Sequence, residues 1–258
     1  MKQRSRMFHL DQSKRIRTWN VIIGCLHACY IGGCHAEHRK GCWARQIARR
    51  VSGKTGCSSC RYFIPHLHEE RLKPLRPRKP TIVFVAAMSD FFADFIPDEW
   101  KKRVLEVMED SSPNVTWFME SREPDKMKKW LNRIPPSTIL STTIEGTDDL
   151  DWDGKTRLSR APTPYERYMA FRDLDWPRKH VSIEPVLGFE LDRFVGWMKD
   201  IEPEYVSVGY DNWHLCLPEP LLEHTKALIR ELRKFTFVEV KTLREAWWMT
   251  KRFSTPRF

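Results

Sequence analysis

Residues 18–29 read Thr18-Trp19-Asn20-Val21-Ile22-Ile23-Gly24-Cys25-Leu26-His27-Ala28-Cys29, and a third cysteine, Cys42, opens Cys42-Trp43-Ala44-Arg45. The β-branched run Val21 to Ile23 has the composition of a short strand, which puts the cysteines in the loop that leaves it. A cubane cluster of four irons ordinarily takes four thiolates, so a site supplying three leaves one iron open to bind something else. The same stretch holds Cys34, His27, His35 and His38, and a Cys57-Ser58-Ser59-Cys60 pair follows. Thiolates and imidazoles at such spacings suit a tetrahedral zinc site equally well. The remainder of the chain has to decide between the two.

From position 81 onward short β-rich runs alternate with amphipathic helices. The strand candidates are Thr81 to Val85, Val115 to Met119, Thr138 to Ile144, Lys179 to Ile183, Glu204 to Val208 and Thr236 to Val240. With Val21 to Ile23 placed before them, that makes about seven strands. Met127, Trp130, Leu131 and Ile134 recur at helical spacing, as do Leu191, Phe194, Val195, Met198 and Ile201. Leu221, Thr225, Leu228, Leu232 and Phe235 repeat the pattern, and Trp100, Val104, Val107 and Met108 mark another helix. Strands alternating with helices imply right-handed crossovers and a parallel sheet. The expected fold is α/β: a partial (β/α) TIM-like barrel of about six to seven parallel strands with a cysteine-rich N-terminal loop. The domain reading is a single unit over 1–258, with the cluster loop and a basic linker at 24–80.

A chain of 258 residues, 41% hydrophobic and 12% aromatic, can bury a substantial core without disulfides. It has no apolar run of about 18 residues to span a membrane, and Met1 to Arg17 lacks the apolar segment of a secretory signal. The expectation is a cytoplasmic protein. In a reducing compartment seven cysteines, six of them between positions 25 and 60, point to metal rather than to a disulfide framework. Cys216, standing alone, reads as an inert core or loop thiol.

The net charge of +10 is unevenly placed: residues 1–80 hold 18 Lys and Arg against 4 Asp and Glu, a net of +14. The remaining 178 residues carry 26 against 30, a net of -4. The densest basic tract is Arg71 to Lys79, kept extended by its prolines. It would attract a polyanion such as nucleic acid, and it would equally serve as a solvated linker.

In parallel (β/α) sheets ligands bind at the carboxyl ends of strands. Those positions here are Ser89-Asp90 after Val85, Glu120-Ser121-Arg122 after Met119, Glu145 after Ile144, Glu184 after Ile183, Asp211-Asn212 after Val208, and Lys241 after Val240. If they converge they form a charged mouth, and the cysteine loop opens onto the same face. That arrangement favours a reactive centre over a remote zinc knuckle.

Gly24-Cys25-Leu26-His27-Ala28-Cys29, Cys42-Trp43-Ala44-Arg45 and a partial barrel resemble the radical S-adenosylmethionine (SAM) superfamily. Within it the chain is similar to the phage-associated three-cysteine proteins, a branch that itself resembles spore photoproduct lyase. Supporting segments are Thr18-Trp19-Asn20, Met88-Ser89-Asp90, Ser182-Ile183-Glu184-Pro185, Val208-Gly209-Tyr210-Asp211-Asn212 and Lys241-Thr242-Leu243-Arg244. The family's closing Cys-x2-Cys is replaced by a twelve-residue separation of Cys29 from Cys42, read as an insertion from Tyr30 to Gly41. In an alternative register Cys34 is the third ligand.

The resemblance implies a [4Fe-4S] cluster on Cys25, Cys29 and Cys42, SAM on the open iron, and SAM cleavage to methionine and a 5'-deoxyadenosyl radical by one electron from a reductant. It makes Ser89, Asp90 and Glu145 candidates for cofactor binding and Glu184, Asp211 and Lys241 candidates for catalysis. His27 is a candidate for tuning the cluster through a hydrogen bond. Each acidic residue reads equally as half of a structural ion pair. Cys34, Cys57 and Cys60, with His35 or His38, form a candidate zinc or auxiliary cluster site. Nucleic acid through 1–80 and a protein partner are the macromolecular expectations. The competing functions are a zinc-stabilised nucleic-acid-binding module and a non-catalytic partner subunit.

Overall fold

Arg15-Ile16-Arg17-Thr18-Trp19 mixes exposed polar residues with a buried Trp19 and pairs with a fully buried neighbour. In the computed structural model, whose described residues are 15–30 and 41–250, it is β1 (Arg15–Trp19). It runs parallel to β4 (Thr81–Val85), with Arg15 opposite Thr81 and Trp19 opposite Val85. The expectation that Val21 to Ile23 opens the sheet is corrected here. Ile22–Ile23 is β2 and pairs antiparallel with β3 (His66–Leu67) in a separate two-stranded sheet. Val21, Ile22 and Ile23 are buried all the same, which is what their composition demands. β1 escapes a hydrophobicity reading because its outward positions carry arginine, a common device on an edge strand.

The main sheet continues with β5 (Val115–Glu120), β6 (Ile139–Thr143), β7 (Lys179–Ile183), β8 (Tyr205–Val208) and β9 (Phe237–Val240), in the order β1-β4-β5-β6-β7-β8-β9. The pairings β1 with β4, β4 with β5, β5 with β6 and β8 with β9 are all parallel, so the fold class is the partial (β/α) barrel type expected. The helices are α1 (Trp43–Thr55), α2 (Ser58–Tyr62), α3 (Asp98–Glu109), α4 (Pro164–Arg172), α5 (Leu191–Ile201), α6 (Leu222–Leu232) and α7 (Trp247–Thr250). The Met127 to Ile134 periodicity forms a 3-10 helix over Pro124–Trp130 instead of an α-helix. Its buried Met127 and Trp130 lie three apart, the spacing that eclipses in a 3-10 turn, and Pro135-Pro136 closes the segment.

The chain divides into two compact units. The first holds the described residues up to Leu26, Ala44–Thr142 and Leu174–His180. Its core includes Trp19 against Trp117 at 5.6 Å between ring centroids and Phe84 against Phe118 at 4.9 Å. Lys101 of α3 is buried, and its ammonium donates to the carbonyls of Phe92 and Ala93 at 3.2 and 3.0 Å. Burial lowers its pKa, with Asp98 opposing.

The second unit holds the described residues of His27–Trp43, Thr143–Asp173 and Val181 onward. Thr163-Pro164-Tyr165-Glu166 starts α4 with a capping box: the Glu166 amide donates to Thr163 Oγ1 at 3.2 Å, and the Thr163 amide donates to Glu166 Oε2 at 2.7 Å. This start fixes the helix so that Arg167 and Tyr168 face inward. Tyr168 stacks on Trp197 of α5 at 4.8 Å. Trp247 and Trp248 donate their indole N–H groups to the carbonyls of Leu217 and Glu219 at 2.6 and 2.9 Å, closing this unit's C-terminal side.

Candidate functional site

In the first unit the end of β4 and the exit of β2 meet. Gly24 N donates to the Met88 carbonyl at 3.0 Å, and Ser89 Oγ donates to the Gly24 carbonyl at 2.7 Å. Ser89 therefore holds the backbone immediately before Cys25. Gly24 has φ +106°, and a Cβ there would lie 2.3 Å from the Ile64 carbonyl carbon, so glycine is required by both conformation and space. Asp90 is buried and accepts from Ser121 Oγ at 2.5 Å and the Arg122 amide at 2.8 Å. Two donors on one carboxylate orient it and bind β4's end to β5's end.

In the second unit Cys29 is buried together with Tyr30, Leu158, Leu187, Leu215 and Leu217, and Cys42 packs against this group. Cys29 Sγ lies 3.2 Å from Ser159 Oγ. Cys25, Cys29 and Cys42 are all thiols rather than disulfides, and Cys25 and Cys42 are half-buried. Cys34, His35 and His38 lie outside the described residues. His27 is buried, and its carbonyl accepts from the Arg160 amide at 2.8 Å.

Glu145 follows β6 and is buried. It accepts from Tyr30 Oη and from Arg167 Nη1, both at 2.8 Å. The side chains of Arg167 and Glu145 are 0% and 3% exposed, so this ion pair is fully desolvated and depends on its hydrogen bonds. Arg167 also donates to the Thr143 carbonyl, while its Nη2 is buried without a hydrogen-bond partner among the described residues. Glu145 thereby joins the residue after Cys29 to α4.

Glu184 after β7 and Lys241 after β9 form an ion pair at 3.6 Å, and Asn212 Nδ2 donates to Glu184 Oε1 at 3.1 Å. Burial raises the Glu184 pKa against the opposing field of Lys241. Gly209, at the end of β8, makes room: a Cβ there would meet Lys241 Cβ at 2.9 Å and Glu184 Cδ at 3.6 Å. Asp211 does different work. Its carboxylate accepts from the Trp213 and Leu215 amides at 2.8 and 2.6 Å, which organises the 211–215 loop. Glu184 and Lys241 are thus brought together, and Asp211 serves the adjoining backbone.

Sequence reasoning grouped Cys57 and Cys60 with Cys34 and with His35 or His38, which lie outside the described residues. Among the described residues Cys57 and Cys60 meet His66 and His68, and the four ligand atoms lie within 4.8 Å of one another. Tyr30 and Arg167 were also missed. The capping box could have placed Arg167 on an ordered helix, whereas nothing in the spacing pairs it with Glu145.

Among solved structures, a spore photoproduct lyase variant with bound AdoMet and dinucleoside spore photoproduct matches 89% of this chain and 76% of its own, with TM-score 0.54 and 10% identity. A second variant of that lyase has TM-score 0.49 and 8% identity over 88% of this chain and 76% of its own. Methanocaldococcus infernus Elp3, lacking its N-terminus, has TM-score 0.43 and 11% identity over 90% and 57%. The first of these shows a shared fold. No curated protein matches the sequence. A family model described as a protein of unknown function, DUF5131, matches residues 13–194, which is most of the chain, and the chain belongs to that family.

Proposed function

We propose that this protein is a radical SAM enzyme whose cluster is held by Cys25, Cys29 and Cys42. The observation that carries this reading is the presence of three thiols, Cys25 and Cys29 just after β2 and Cys42 just before α1, in a fold shared with a structure that holds AdoMet. The donor set fits: three thiolates suit an iron-sulfur cluster and leave one iron for a further ligand. Cys29 and Cys42 already share one packed group, which supports Cys42 as the third ligand. Held by Cys25, Cys29 and Cys42, such a cluster would supply a coordination site for SAM and, with an external reductant, the one-electron chemistry that cleaves it. Membership of the phage-associated branch rests on the sequence segments alone.

The chain's own residues prepare the place. Ser89 holds the Gly24 carbonyl and so sets the approach of Cys25. Glu145, fixed by Arg167 and Tyr30, steadies the backbone that follows Cys29. The orphan Nη2 of Arg167 is a buried donor of the kind a carboxylate ligand satisfies. Glu184 and Lys241 offer a carboxyl and an ammonium close together in a half-buried setting, where a substrate proton or anion can be held. The packed leucines around Cys29 exclude water from that thiol.

Nucleic acid is the proposed partner. Lys73, Arg76, Arg78 and Lys79 are exposed, with Arg76 partly neutralised by Asp110 at 3.1 Å. Binding should weaken steeply with salt, and neutralising Arg78 and Lys79 should weaken it further; unchanged affinity removes this tract from the reading. A zinc-stabilised nucleic-acid-binding module is the second reading, favoured by the Cys57, Cys60, His66 and His68 group. The deciding experiment incubates the anaerobically reconstituted, reduced chain with SAM and measures 5'-deoxyadenosine. Its formation by the native chain and its loss in Cys25→Ala support the enzyme. No product, with nucleic-acid binding intact in the iron-free protein, supports the module.

A further inference from the structure

Cys57-Ser58-Ser59-Cys60 and His66-Leu67-His68 are separated by five residues. Cys60 sits in a short helix, and His66 sits in a short strand with His68 directly after it. Cys57 is the N-cap of α2, where its sulfur accepts from the Cys60 amide at 3.4 Å, so one turn folds both thiols to the same side. Phe63 then ends the turn with a left-handed backbone, φ 58°. His66 lies in β3 and His68 follows the strand directly, its amide donating to the Val21 carbonyl at 2.8 Å, and the two imidazole rings come together with centroids 4.6 Å apart.

Four of the six distances among the ligand atoms are near the edges of a tetrahedron, and all six are within 4.8 Å. His66 Nε2 is 3.4 Å from both sulfurs, Cys60 Sγ is 3.4 Å from His68 Nε2, and the two Nε2 atoms are 2.9 Å apart. A tetrahedral zinc with metal-sulfur and metal-nitrogen bonds of about 2.3 and 2.0 Å has sulfur-nitrogen edges of about 3.5 Å and a nitrogen-nitrogen edge of about 3.3 Å.

The hydrogen bonds around the group define its chemistry further. His66 Nδ1 donates to the Ile64 carbonyl at 2.8 Å, and His68 Nδ1 donates to Glu70 Oε1 at 2.9 Å. With both Nδ1 atoms used as donors, both neutral rings turn a lone pair inward at Nε2. Two such lone pairs 2.9 Å apart repel unless a cation lies between them. A carbonyl and a carboxylate behind the imidazoles are also the usual outer partners of metal-bound histidines. Two thiolates neutralise a divalent ion, which permits the burial of Cys60 and His68 at 2% and 8% exposure.

Two sulfurs and two nitrogens on one centre select zinc among the common metals. A two-iron cluster with this ligand composition keeps its cysteines and histidines on different irons. Here Cys60 touches both imidazoles, and His66 touches both thiols.

The group also lies against the strand that leads to Cys25. Ile23 is the register partner of His66, the His68 amide donates to the Val21 carbonyl at 2.8 Å, and the Ile64 carbonyl that receives His66 is the group Gly24 packs against. We propose that Cys57, Cys60, His66 and His68 hold one structural zinc ion, and that this ion braces β2 and the Gly24 turn before Cys25. With all four positions filled by protein, the ion has no open site for a substrate and acts on shape.

The test uses the full chain. Native protein and the Cys25→Ala/Cys29→Ala/Cys42→Ala variant should each carry about one zinc per chain, and Cys60→Ser should lose it. Replacing zinc with Co2+ should give the ligand-field spectrum of a tetrahedral site with a sulfur charge-transfer band. His68→Cys should keep the ion and strengthen that band, which separates ligand loss from misfolding. Glu70→Gln, on an exposed side chain, should lower zinc affinity roughly 10-fold with the ligands intact.

Absence of stoichiometric zinc and of a tetrahedral cobalt spectrum in the native chain would overturn the site, as would zinc lost in the triple variant and kept in Cys60→Ser. The brace is read separately, by amide hydrogen exchange over Val21 to Cys25 with and without zinc. Faster exchange on zinc removal supports it; unchanged exchange overturns the brace while leaving the site standing.

Discussion

The two cysteine-bearing regions differ in how many potential donors the described residues bring together. Cys25, Cys29 and Cys42 are three thiols, with Cys29 buried among leucines beside Ser159 and Cys42 packed against that group. Cys57 and Cys60 have His66 and His68 in direct reach, four donors within 4.8 Å. Three donors leave a metal centre able to bind and change a ligand, whereas four close it. The difference teaches that cysteine spacing alone is a poor guide to role: the residues that arrive from the next strand decide it. A strand two residues long, His66–Leu67, turns the second group into a closed site and presses it against the approach to the first.

The contrast is sharpest if the two groups can be emptied independently. Cys29→Ala should abolish iron incorporation and SAM cleavage while leaving zinc at about one per chain, and Cys60→Ser should do the reverse for zinc. Metal analysis of both variants side by side checks this, and loss of both metals in either variant would merge the two groups into one. Next in size is the buried pair behind Cys29. Arg167→Met strands the Glu145 carboxylate, and denaturant unfolding should show a loss of about 3–5 kcal/mol.

Gly24→Ala forces a Cβ against Ile64 in a positive-φ turn, and should cost about 1–3 kcal/mol. It should also lower iron loading more than zinc loading, because the strain falls on the turn before Cys25. Equal loss of both metals would show general unfolding instead.

The smallest effect concerns Glu184. Its carboxyl is raised by burial, so the neutral form favours the folded state. That contribution is present below the unfolded pKa and is lost as pH rises through the folded one. Relative to Glu184→Gln, the native chain should lose a few degrees of melting temperature as pH climbs from the unfolded carboxyl range towards neutrality. A difference independent of pH would mean that Lys241 compensates the charge completely.

Much of the sheet was legible because β-branched runs bounded by polar strand ends carry their own register. Lys179 to Ile183 is a strand over the same residues in sequence and structure. β1 was hidden by its arginines, whose burial pattern belongs to an edge. The 3-10 helix at Pro124–Trp130 was hidden because spacings of three serve both helix types, and the flanking prolines decide between them.

At the candidate site the polar strand ends were legible one at a time, but their partnerships were not. Glu145 and Arg167 are 22 residues apart on a strand end and a helix, and only the tertiary crossover joins them. His66 and His68 come together in and directly after β3, and a run as short as His66–Leu67 has no periodicity to reveal a strand. Asp211 carried the same polar signature as Glu184, yet its carboxylate is taken up by the amides of its own loop.

The open centre is the central claim, and electron paramagnetic resonance of the reduced, reconstituted full chain tests it most directly. The account predicts a four-iron signal that changes when SAM is added and that disappears in the variant lacking Cys25, Cys29 and Cys42. A native signal unaltered by SAM, or one that survives loss of those three cysteines, would contradict it.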